Sequence, residues 1–228
     1  MINRYLALII GVFSLAASGV VQAQKQPARV GSGEDSLGSR IEFPELKGDA
    51  TAIVRCAAQV EDGGDMEKNG CYNESPSDQL FIPAINDAAR KARMQPASVD
   101  GRGLEIYFQY RVKFEKKGDA TTVTVLENPG VTENVEAYGE DHVSAQRAIG
   151  EERWQQECPS RAQYLVWLRA HVAPDGIVSN ASLAHGGGIT PTPRCQQAIL
   201  ETVENSIFFP ALDDGQPVPS TYVEPFGN

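Results

Sequence analysis

Tyr164-Leu165-Val166-Trp167-Leu168-Arg169-Ala170-His171-Val172, followed by Ala173-Pro174-Asp175-Gly176 and Ile177-Val178-Ser179-Asn180-Ala181-Ser182-Leu183, is the stretch that decides the fold. Apolar and polar side chains alternate on both sides of an Asp-Gly pair. Period-two alternation is the mark of a half-buried strand, and Gly accepts the positive φ of a tight turn, so the stretch predicts a hairpin. A loop, Ala184-His185-Gly186-Gly187-Gly188, leads to a helix-period segment from about Pro193 to Ile207. There Ala198, Ile199, Thr202, Val203 and Ile207 share one face. Phe208-Phe209-Pro210-Ala211 stops the helix, because the residue before proline is driven out of the α region. A turn at Asp214-Gly215-Gln216-Pro217 then opens a last strand, about Val218 to Phe226. The order strand, strand, helix, strand predicts an α+β module, an antiparallel sheet with one packed helix.

These elements carry a resemblance. Val172-x-x-Asp175-Gly176-x-Val178, the Gly186 to Gly188 loop, Phe209-Pro210-Ala211, and Asp214-Gly215-Gln216-Pro217-Val218-Pro219 closing in Pro225-Phe226 resemble the TonB C-terminal domain. That is the periplasmic module of Gram-negative energy transducers. The resemblance covers about 65 residues, nearly a third of the chain. It departs from the family at Ser206-Ile207-Phe208, where a basic-aromatic pair is usual. It implies that the last strand receives an extended peptide by β-strand addition. Ser220, Thr221, Tyr222, Val223 and Glu224 would supply the edge, with Tyr222 and Phe226 as specificity contacts. The implied partner is a peptide of the cell envelope, such as one presented by a TonB-dependent outer-membrane receptor.

The pattern has an earlier echo. Ala52 to Val60 reads as a strand, Glu61-Asp62-Gly63-Gly64 as a turn and Asp65 to Cys71 as the return. A helical stretch from about Asp78 to Arg93 follows, and Met94-Gln95-Pro96-Ala97 ends it. Asp100-Gly101-Arg102-Gly103 makes a turn before the alternating strand Leu104 to Val112. Val60 and Val172 are 112 residues apart, and Pro96 and Pro210 are 114 apart. A shared element order with a single two-residue gap predicts two tandem modules, 45–116 (diverged) and 161–228.

Residues 117–160 are expected to join them, with a strand over Thr121 to Leu126, a turn at Asn128-Pro129-Gly130 and a helix from His142 to Gln156. Residues 1–23 have the form of a secretory signal peptide, with Arg4, an apolar run from Tyr5 to Val21 and Val21-Gln22-Ala23 before the break. The rival reading is an inner-membrane anchor over residues 5–21, at the lower length limit for a span. Residues 24–44, polar and without periodicity, read as a flexible leader. The formal net charge of −10, without basic clusters, argues against nucleic acid. Periplasmic export follows from the leader.

Four cysteines in an exported chain predict disulfides, with three connectivities open. Cys56 and Cys71 flank the first hairpin turn at similar distances, which favours Cys56–Cys71 and Cys158–Cys195. No Cys-x-x-Cys and no His spacing suggests a metal, and no nucleophile, zinc or phosphate motif stands out. The sequence therefore predicts a non-catalytic protein without cofactor. Two roles remain: peptide binding by strand addition, or a structural adaptor whose modules pack together or form a homodimer through the same edges.

Overall fold

The computed structural model describes residues 24–72, 75–161 and 163–227; the expected signal peptide or anchor lies outside them. The chain opens with β1 (Lys25–Gln26) and α1 (Leu37–Arg40). The first module runs β2 (Ala50–Val60), β3 (Met66–Tyr72), a 3-10 turn (Pro76–Leu80), α2 (Ile82–Ala89), β4 (Ala97–Val99), β5 (Arg102–Leu104) and β6 (Ile106–Lys117). The connector holds β7 (Ala120–Leu126), α3 (Thr132–Tyr138), β8 (Gln146–Ala148) and α4 (Trp154–Glu157). The second module runs β9 (Tyr164–Val172), β10 (Val178–Gly188), α5 (Pro193–Glu204), β11 (Phe208–Phe209), β12 (Ala211–Asp213), β13 (Gln216–Val218) and β14 (Ser220–Gly227). The architecture is α+β, and every strand pair is antiparallel.

The two modules repeat one topology to the level of register. Strand order is β3-β2-β6 in one sheet and β10-β9-β14 in the other. Val60 stands opposite Met66 and Ile106, as Val172 stands opposite Val178 and Ser220. Each hairpin carries a bulge at the same place, where Lys68 (φ 47°) and Asn180 (φ 55°) take left-handed conformations. A shared bulge is a designed feature of a sheet rather than a defect. Gly64 (φ 91°) and Gly176 (φ 82°) close the two turns, and a Cβ on either would strike a backbone carbonyl, of Met94 and Phe208 respectively. The later turns match too: Asp100-Gly101 and Asp214-Gly215 have positive φ at both residues, the twist that suits a two-residue hairpin.

Each helix lies on one face of its sheet and seals a separate core. Val54, Cys56, Phe108, Tyr110 and Ile85 anchor the first, and Val166, Leu168, Ile199, Val203 and Tyr222 the second. Both expected disulfides are present, Cys56–Cys71 across β2 and β3, and Cys158–Cys195 between the segment before β9 and α5. In the second module Leu168 and Leu183 pair where the first has Cys56 and Cys71. Conversely, Phe43 packs edge-on against Phe81 in the first, where the second has its own disulfide. The copies use different staples at equivalent places.

Two expectations need correction. Residues 24–44 are not a loose leader. Gln26 pairs with Ser98, Arg29 bridges Gln95, and Ala28, Leu37 and Ile41 lie in the first core. Their polar neighbours hid these few apolar contacts, and the ordering comes from backbone pairing. The helix expected from His142 to Gln156 forms only at its end, as the single turn α4 (Trp154–Glu157). Residues 143–148 instead run extended between the modules: Val143 bridges Leu212, Gln146 and Arg147 pair with β11, and Ala148 pairs with Ile106. They repeat the role of the N-terminal segment, because Leu212 and Phe209 are the counterparts of Ser98 and Gln95. The expected strand and turn at 120–130 form as β7 and its exit. Through β8, the six-stranded sheet β11-β8-β6-β2-β3, with β7 also on β6, draws in a strand of the second module.

Candidate functional site

β14 was expected to present its side chains and its edge to a peptide. Alternation decides the side chains: Ser220, Tyr222, Glu224 and Phe226 face inward, and Tyr222 and Phe226 are each 2% exposed. They cannot act as specificity contacts, because they complete the second core. Phe208 meets Tyr222 edge-on with ring centroids 5.0 Å apart, and Trp154 meets Phe226 at 5.4 Å.

Glu224 is the inward residue that carries charge. Its carboxylate accepts from Arg147 Nε at 2.8 Å and Nη2 at 2.7 Å, and from the Tyr222 hydroxyl at 2.5 Å. Arg147 also donates to Glu152 at 2.7 Å, and Glu152 accepts from Trp154 Nε1 at 2.5 Å. A bidentate guanidinium–carboxylate pair is the geometry in which a buried charge is tolerated. Burial works against the charged guanidinium, yet the Glu224 carboxylate outweighs it and leaves the Arg147 pKa above its ordinary value. Burial, reinforced by Glu224, raises the phenols of Tyr222 and Tyr107. This cluster rivets the connector to the last strand. It is structural in form.

The outward margin of β14 is closed as well. Asn134 on α3 imitates one residue of a neighbouring strand: its amide donates to Thr221 O at 2.8 Å and accepts from Thr221 N–H at 2.9 Å. Gln109 on β6 donates to Val223 O at 2.7 Å, Tyr138 donates to Pro219 O at 2.7 Å, and Pro225 has no N–H to offer. The peptide-receiving role expected of Ser220, Thr221, Tyr222, Val223, Glu224 and Phe226 therefore meets a strand whose alternate side chains are core and whose edge is occupied.

Among the described residues β10 is paired on one side only, as are β3 and β7. Because Thr221 and Val223 face away from β9, the antiparallel alternation sets Leu183 and His185 of β10 with their N–H and C=O groups pointing away from the sheet. Along Val178–Gly188 there is no Lys, Arg, Asp, Glu or Pro, the residues with which proteins usually guard an edge. Half-buried Val178, Ala181 and Leu183 on β10, with Leu200 on α5, make an unfinished apolar shelf beside that edge. Ile177 and Ile189 flank it, 64% and 50% exposed. The counterpart strand β3 is guarded by Glu67 and Lys68.

Sequence reasoning missed Gln109, Asn134, Arg147 and Glu152. A polar residue inside an alternating strand was a faint sign for Gln109; the others gave none. No group of three or more His, Cys, Asp and Glu among the described residues could hold a metal. No described helix is long and apolar enough to cross a membrane. Comparison with models of known protein families, with curated proteins and with solved structures finds no match to this chain. The TonB resemblance rests on the quoted residues alone.

Proposed function

We propose that the chain is a periplasmic, non-catalytic binding protein built from two TonB C-terminal-like modules. It receives an extended envelope peptide, such as one from a TonB-dependent outer-membrane receptor, along the free margin of β10. The observation that carries this is the eleven-residue, uncharged, unpaired edge of β10. An incoming strand gains main-chain hydrogen bonds at Leu183 and His185, and its alternate apolar side chains finish the shelf of Val178, Leu183 and Leu200. The two disulfides fit an oxidising compartment such as the periplasm.

The test is a titration of the isotope-labelled mature protein with a synthetic TonB-box peptide. Amide signals of Val178 to Gly188 shift, and His185→Pro, which removes an outward N–H without touching the β9 ladder, abolishes the shifts. Shifts confined to other strands, or none at millimolar peptide, refute the site. The same free margin supports the adaptor reading, in which β10 pairs with β10 of a second copy. Sedimentation at several concentrations separates the two, since only the homodimer grows with protein concentration and dissociates in His185→Pro.

A further inference from the structure

We propose that Asp100 is a binding site for the chain's own processed N-terminus, the α-ammonium of Gln24 that cleavage after Ala23 creates. The chemical consequence is that Gln24, unlike a free N-terminal glutamine, resists closure to pyroglutamate. The proposal rests on the signal-peptide reading of residues 1–23 and is independent of the β10 edge.

Two hydrogen bonds fix Gln24. Its backbone N donates to Asp100 Oδ1 at 2.9 Å, and its C=O accepts from Asp100 N–H at 3.0 Å. β1 continues the pairing, with Lys25 opposite Val99 and Gln26 opposite Ser98. Lys25 carries the start of the chain to the other module. Its ammonium donates to Asp175 O at 2.9 Å, in space that Gly176 leaves open, where a Cβ would lie 2.6 Å from Nζ. Residues 24 and 25 thus grip a turn of each module, Asp100-Gly101 and Asp175-Gly176.

Asp100 is an anion in want of a cation. Among the described residues no lysine or arginine pairs with its carboxylate, and the donor it meets is Gln24 N. While residue 23 is attached, that donor is a neutral amide. Cleavage turns it into an ammonium, so the same contact becomes a charge-assisted hydrogen bond. Cyclisation needs the opposite state. The neutral α-nitrogen attacks its own side-chain Cδ, the N–Cδ bond closes a five-membered lactam, one proton passes to Nε2, and the Cδ–Nε2 bond breaks to release ammonia. A free α-amine has a pKa of about 8, so a sizeable share of it is neutral at physiological pH. Asp100 favours the protonated form, which has no lone pair to give, while the β1 pairing holds the backbone in place.

The experiment expresses the full chain with its leader in a Gram-negative host and recovers it from the periplasm with its disulfides intact. Mass spectrometry of the N-terminal peptide then follows the loss of one ammonia during incubation near neutral pH. The chain is expected to begin at Gln24, uncyclised, and to lose ammonia more slowly when folded than in urea. Asp100 has φ 51°, a region that Asn and Gly also adopt, so both replacements suit the turn. Asp100→Asn keeps an acceptor oxygen but removes the charge, and is expected to cyclise at least about threefold faster. Asp100→Gly removes the acceptor as well and is expected to be faster again. Circular dichroism checks the fold, and either variant alone carries the comparison. A first residue other than Gln24 overturns the signal-peptide reading, and the proposal with it. A start at Gln24 that is already cyclised on isolation, or equal rates in wild type and variants, overturns the Asp100 site while leaving the cleavage standing.

Discussion

Arg147→Met is the sharpest probe of how the last strand is sealed. The wild-type guanidinium is 3% exposed and lies between Glu224, 4% exposed, and Glu152. Methionine keeps much of the stem, but removes the guanidinium that lies over the Phe226 ring and strands two carboxylates without a cation. Removing one member of a buried pair typically costs about 3–5 kcal/mol, far more than the loss of a surface ion pair. Here the upper part of that range applies, because both acids lose their partner while only Tyr222 and Trp154 still donate to them. With a urea m-value of about 2 kcal/mol/M, the midpoint should fall by about 2 M, measured by intrinsic fluorescence with the disulfides intact. The deficit has a pH signature. Neutralising the stranded acids relieves the buried charge, so it should shrink as the pH is lowered towards about 4, where free carboxyl groups protonate. Arg147→Met with Glu224→Leu removes the pair together, and its deficit should be smaller than the sum of the two single changes. A midpoint within about 0.3 M of wild type at neutral pH, or a deficit that does not vary with pH, would refute the argument.

Two further outcomes follow from the same interior. Replacing Cys158 and Cys195 together by Ser should cost about 4 kcal/mol for its 37-residue separation, and replacing Cys56 and Cys71 about 3 kcal/mol for 15, read from urea midpoints under non-reducing conditions. Tyr107, Tyr110, Tyr164 and Tyr222 all have phenols raised by burial. Their folded pKa exceeds the unfolded one, so the stability they confer is complete below the unfolded value of about 10 and is lost as pH rises past it. Absorbance at alkaline pH should therefore show these four ionising only with unfolding; early, reversible titration of all seven tyrosines would contradict the burial.

The hairpins were legible because Asp-Gly turns and period-two alternation are local signals, and both modules carry them at constant spacing. The helices were legible for the same reason, since Ile199 and Val203 recur one turn apart. What failed was tertiary. Ala145, Ala148 and Ile149 imitate a helical stripe that is real only from Trp154, yet Gln146 and Arg147 between them are buried because Ala28 and Glu224 answer them from distant parts of the chain. Only the first fold-back makes an extended connector cheaper than a helix there. The misplacement of the candidate site has a similar origin. Tyr222 and Phe226 looked available because an edge strand in isolation shows both faces, and nothing in the sequence announced Asn134 as the residue that closes its margin.

The differences between the copies argue for a division of labour. β6 is covered along its margin by backbone ladders, β8 at Ile106 and Tyr107 and β7 from Arg111 onward. Its counterpart β14 has Pro225, without an N–H, on its outward margin, and side-chain amides from Asn134 and Gln109 do the covering, one from the connector and one from the first module. Both closures depend on the modules holding each other, which makes the first copy and connector a scaffold for the second. The opposite edges are treated differently. On β3 a disulfide and charged residues secure the strand, whereas on β10 neither is present and the shelf beside it is left unfinished. An uncharged edge of that length invites aggregation unless something specific occupies it. Its retention on one copy, beside three margins that are paired, capped or charged, is the physical reason to look for a partner at β10.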